Sequence, residues 1–252
     1  MFADSDYASS DDYWSLTRRP LTCLLYLLPL LVLYEVGILW VGGRNPDPFR
    51  NGADFWMRGW LSQLGLTQAL LLPVLVVIGL MIWHLAGNFP WRVSFETLVG
   101  MFAESLLFAF FLIVVGQIQD LVFRSLSIPV TFSMFHRETL ANAVTYFGAG
   151  IYEEVLFRLC LLPICYGLFR LTKLSVKWSA VLAILASSLT FSLAHYVGPA
   201  ADTVTLYSFT FRTAAGIFFA WLFCVRGFGI TVGCHTAYDL LVGIVLVEQG
   251  FS

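Results

Sequence analysis

Long apolar stretches alternate with short polar breaks along almost the whole chain. Seven of them stand out, at about residues 21–42, 61–86, 95–123, 140–169, 178–198, 205–225 and 228–247. A helix needs about 20 mostly apolar residues to cross a bilayer, so each stretch predicts a transmembrane helix. The breaks hold most of the charges, as in GGRNPDPFRNGAD after the first stretch and RLTKLSVK after the fourth. The fold class predicted is all-α, a polytopic transmembrane bundle of about seven spans, with six to eight as the range. No internal repeat is visible. The fourth stretch is too long for one straight span. Gly148-Ala149-Gly150 predicts a break there, with Pro163 kinking the helix further on.

The first nineteen residues are polar, carry four aspartates and end in Arg18-Arg19. They lack the basic start of a signal peptide. The expectation is therefore a polar, mobile tail over 1–19, the arginine pair anchoring the first span at the interface. A single transmembrane helical domain then fills 20–252.

Composition agrees with the pattern. Of the 252 residues, 59% are hydrophobic and only 12% charged, against about 25% charged in soluble domains. Lipid is thus the expected solvent, and the expected location is the plasma (inner) membrane, multi-pass. A net charge of -2 offers no basic surface for nucleic acid. Cys23, Cys160, Cys165, Cys224 and Cys234 form no CxxC pair and no Cys/His cluster, so they read as packing residues.

Against this background the ionisable residues inside apolar stretches stand out, since each costs at least about 2.5–3.5 kcal/mol at mid-helix. In Tyr152-Glu153-Glu154-Val155-Leu156-Phe157-Arg158, the spacing of Glu154 and Arg158 suits a helical ion pair. Glu153 would then point about 100° away, a free carboxylate suited to general-base work. The plainer alternative is an interhelical polar staple. His195 ends Phe191-Ser192-Leu193-Ala194-His195, and taken alone it reads as a core histidine. In His235-Thr236-Ala237-Tyr238-Asp239 the i, i+4 spacing puts His235 and Asp239 on one helix face. Together these groups can supply a base, a proton shuttle and oxyanion donors for amide hydrolysis. They could equally supply three or four zinc ligands, Glu153, His195, His235 and Asp239. Glu35 and Glu104 are further intramembrane acids, Glu104 reading as an interhelical bond. Asp120 with Arg124 reads as an interfacial pair, and His84 and His136 as interfacial histidines.

Glu-Glu-x-x-x-Arg, Phe-x-x-x-His and His-x-x-x-Asp, in that order over about residues 145–245, resemble the CPBP family of CAAX-processing and bacteriocin-processing intramembrane endopeptidases. The resemblance implies a glutamate-type hydrolase acting on a membrane-associated peptide or protein, whether prenylated, leader-bearing or membrane-embedded. By position, Glu153 with His195 would activate water, and His235 with Asp239 would hold the oxyanion. Glu154 and Arg158 would support the site, and no cofactor would be required, zinc being the alternative. Asp239 stands where some members have Asn. As an ionised carboxylate it cannot donate to an oxyanion, so it is either protonated or orients His235 through a ring nitrogen. Competing readings are a catalytically silent scaffold or immunity-type protein, and a transporter. A helix starting near Gly150 would set Glu153 at its beginning and His195 at the end of the next. His235 would then lie about 12 Å from the opposite side, a mismatch in depth.

Overall fold

The computed structural model describes residues 12–128, 139–198 and 201–246. In chain order the helices are α1 (Tyr13–Leu16), α2 (Pro20–Gly42), α3 (Gly52–Gln63), α4 (Leu71–Ala86) and α5 (Phe95–Ser125). They continue with α6 (Thr139–Gly148), α7 (Leu162–Leu171), α8 (Val176–Ala194), α9 (Leu206–Arg226) and α10 (Phe228–Leu240). There is no strand among the described residues, and the protein is an all-α membrane bundle. α2, α5, α8 and α9 are long and apolar enough to cross a bilayer. Their starts are explicable locally: Ser94 and Ser175 cap α5 and α8, and Thr205 with Ser208 closes a capping box on α9.

Two expectations about the spans need correction. The stretch 61–86 is not one helix: α3 ends at Gln63, and the chain turns through Gly65 at φ 78° before α4 begins. α3 carries Asp54 and Arg58 on its inner side, so it is an amphipathic helix rather than part of a span. The break at Gly148–Gly150 does not occur either. α6 runs into a π-helical stretch, Ala149–Glu153 and Val155–Leu161, and then into α7. Pro163, which has no N–H to donate to Leu159, lies just beyond the return to α-helical register. The glycine serves contact instead of a break. A Cβ at Gly150 would lie 2.8 Å from the Thr236 backbone nitrogen, so α10 can approach the π stretch only where the side chain is absent.

The residues before α2 also differ from a mobile tail from Asp12 onward. α1 folds back on the bundle, Tyr13 Oη donating to Glu104 at 2.8 Å and Arg226 lying 3.7 Å above the Trp14 ring. Arg19 is buried within the bundle. Arg226 Nη2 donates to Glu104 at 2.7 Å, so Glu104 makes the interhelical bond expected of it.

α10 is the centre of the molecule. Every residue from Phe228 to Thr236 is buried, and the helix packs on α5, α2, α9 and the π stretch. Gly227 alone joins it to α9, at φ 91°, a conformation open mainly to glycine. His84 is buried against Phe89 and Trp91, with no hydrogen-bond partner for either ring nitrogen among the described residues. Asp120 and Arg124 do pair, at 2.8 Å, on an exposed helix turn. His136 lies outside the described residues.

Candidate functional site

Glu153 lies in the middle of the rod formed by α6, the π stretch and α7, not at a helix start. That removes the mismatch in depth. The end of α8 brings His195, and α10 brings His235 and Asp239, to the same level. Glu153 Oε2 is 3.8 Å from His195 Nε2 and 3.8 Å from His235 Nε2. This oxygen is buried and has no hydrogen-bond partner among the described residues. Those separations exceed a hydrogen bond, yet one oxygen atom could lie within about 2.8 Å of Oε2 and a ring nitrogen together.

Each imidazole is oriented from behind. The Phe191 carbonyl lies 2.8 Å from His195 Nδ1. A carbonyl only accepts, so Nδ1 carries a proton, and Nε2 is the ring nitrogen turned toward Glu153. His235 Nδ1 lies 2.8 Å from Glu154 Oε1, and its Nε2 is 3.5 Å from Asp239 Oδ2. Phe219 stacks on the His235 ring at 4.5 Å and fixes its plane. The two adjacent glutamates thus straddle one imidazole. Both reach His235, one at each ring nitrogen. It is Glu154, not Asp239, that holds Nδ1, because Asp239 lies on His235's own helix on the Nε2 side.

The pair between Glu154 and Arg158 is present, Oε2 to Nε at 3.0 Å, with both side chains buried. Its angle falls short of a hydrogen bond. Arg158 Nη2 donates instead to the Gly216 carbonyl at 3.2 Å, and the guanidinium lies 4.6 Å above the Phe191 ring. Burial differs across the site. The Glu154 side chain is 0% exposed and His235 6%, whereas His195 is 25% exposed. The site therefore opens past His195.

Sequence reasoning missed one neighbour. Asn51, at the start of α3, donates from Nδ2 to Glu153 Oε1 at 2.8 Å. Behind it lies a buried cluster of Tyr34, Glu35, Arg50, Asp54, Arg58 and Tyr152. Asp54 takes Arg50 at 2.9 Å and Arg58 at 2.6 Å. Burial alone would lower Arg50, but Asp54, followed by Tyr34 and Glu35, holds it above its ordinary range. Only the charges of the polar break could have pointed here. Among the described residues, no group of three or more His, Cys, Asp and Glu side chains is arranged to hold a metal ion.

Residues 135–241 match the family described as Rce1-like, type II CAAX prenyl endopeptidase Rce1-like. Over these residues, somewhat less than half of the chain, the protein is similar to that family. The match takes in Glu153, His195, His235 and Asp239, and it agrees with the likeness read from the three motifs. CAAX-type intramembrane protease activity and a membrane-associated protein substrate go with that family in general. No curated protein and no solved structure matches the chain.

Proposed function

We propose that the protein hydrolyses a peptide bond of a prenylated, membrane-associated substrate with a water activated between Glu153 and His195. The observation that carries this is Glu153 Oε2, buried, unpartnered and 3.8 Å from both Nε2 atoms. In the reaction, Oε2 takes a proton from water as the oxygen attacks the scissile carbonyl. His195 Nε2 accepts a hydrogen bond from the water and afterwards relays the proton taken up by Glu153 to the leaving nitrogen, which returns Glu153 to its carboxylate form. His235 donates from Nε2 to the developing oxyanion. For that it carries both ring protons, with Glu154 balancing the charge at Nδ1. Asp239 lies beside the same nitrogen and contributes to the oxyanion site in its protonated form. Arg158, 3.0 Å from Glu154 Oε2, holds that carboxyl in place. No metal takes part in this reading, and the site lies in the plasma membrane.

The test is cleavage by purified, detergent-solubilised protein of a fluorogenic peptide ending in a farnesylated cysteine and three further residues. Release of the C-terminal three residues, with the unprenylated peptide left intact, is the expected result. Folded protein that cuts only leader-bearing or membrane-embedded peptides would overturn the substrate class. Protein that cuts none of the three would overturn the activity.

A further inference from the structure

The motif-bearing half supplies every residue of the reaction above, but it does not by itself fix the carboxyl plane of Glu153. The last torsion of a glutamate is broad and nearly free. A carboxylate turning about it would exchange its two oxygens between the histidines and the protein wall. We propose that Asn51 is a positioning residue that stops this rotation, pinning Oε1 so that Oε2 alone meets the water. The inference rests on Glu153 being the base.

Two partners fix the Asn51 amide. Its Oδ1 accepts from the Ala53 backbone N–H at 2.8 Å, as the N-cap of α3, so Nδ2 is the end that faces Glu153 Oε1 at 2.8 Å. Turning the amide over would set an oxygen against the carboxylate and leave the helix end uncapped. The Asn51 backbone is fixed as well. Its N–H donates to Tyr34 Oη at 3.2 Å, and Tyr34 Oη donates to Asp54 Oδ2 at 2.7 Å. Arg58 links Asp54 to Glu35, and Glu35 accepts from Tyr152 Oη at 2.6 Å. Tyr152 directly precedes Glu153. The frame thus closes on itself, gripping the base through the neighbouring residue on its helix and through its own Oε1. Each charge in this frame is neutralised within it, so what reaches Glu153 is a neutral amide with a set direction.

Serine and aspartate cap helices about as well as asparagine, which separates the two tasks of this side chain. Asn51→Ser keeps a cap but cannot also reach Glu153. Asn51→Asp keeps the cap and sets a carboxylate against Oε1. The experiment measures kcat, KM and thermal midpoint for both variants on the farnesylated peptide, beside Glu153→Gln. We expect midpoints within about 2 °C of the parent, an unchanged KM, and kcat lower by about 10- to 100-fold. Asn51→Asp should fall at least as far as Asn51→Ser. If Asn51→Ser keeps more than half the parent kcat while Glu153→Gln is inactive, the positioning role is wrong and the base assignment stands. If Glu153→Gln is active, the base assignment itself has failed. Midpoints that drop by more than about 5 °C in both variants would make Asn51 a structural cap only and overturn the proposal.

Discussion

Arg158 can be replaced by methionine, a side chain that suits the Phe157, Phe191 and Phe219 rings around the guanidinium. The change leaves Glu154, with a side chain 0% exposed, without the guanidinium and with the His235 ring alone beside it. Breaking a buried pair by removing one partner costs about 3–5 kcal/mol. Glu154 retains its contact with His235 Nδ1, which places the loss near the lower end, at about 3 kcal/mol. For a chain of this size that lowers the midpoint by about 6–12 °C. Adding Glu154→Gln should restore most of it, because removing both charges of a buried pair is often neutral. Thermal unfolding followed by tryptophan fluorescence in one detergent reads both values. An Arg158→Met midpoint within about 2 °C of the parent would show that Arg158 does not compensate a buried carboxylate. A double variant no more stable than Arg158→Met would show the same from the other side.

Gly150→Ala should lower activity at least about tenfold, since the added methyl meets the Thr236 backbone nitrogen and displaces the helix that carries His235; parent-like kcat would refute the close contact. His84→Phe should leave activity unchanged and the midpoint equal or higher, because it removes two buried, unpartnered nitrogens costing about 1–3 kcal/mol if left unpaired; a clear loss of stability would reveal a partner for His84. Strong chelators should leave activity intact, and elemental analysis of active protein should find no stoichiometric zinc. One metal per chain, with activity lost on stripping and restored by zinc, would make Glu153, His195, His235 and Asp239 ligands instead.

The parts of this molecule legible in its sequence are those set by local pattern or by the cost of polarity in lipid. Apolar runs gave the helical bundle, and Glu153, Glu154, Arg158, His195, His235 and Asp239 were visible because ionisable side chains in such runs demand a reason. What was not legible depends on register and on long-range contact. The change to π-helical register at Ala149 has no periodic signal in so short a stretch, and that His235 sits between the two glutamates is a long-range contact. The continuous rod through Gly150 escaped notice because glycine marks a close approach as well as a break. Asn51 lies 102 residues from Glu153 in a polar stretch, where its residue type suggests only a turn or a cap.

The central claim is that Glu153 takes the proton from the attacking water. The most direct test is the kcat of Glu153→Gln on the farnesylated peptide, per mole of protein shown folded by its thermal midpoint. Glutamine keeps the size and can still accept a bond from Asn51, but it cannot take a proton from water. General-base catalysis contributes about 10²- to 10⁴-fold, so kcat should fall by at least about a hundredfold with the midpoint preserved. A folded Glu153→Gln protein that kept more than about a tenth of the parent rate would contradict the account.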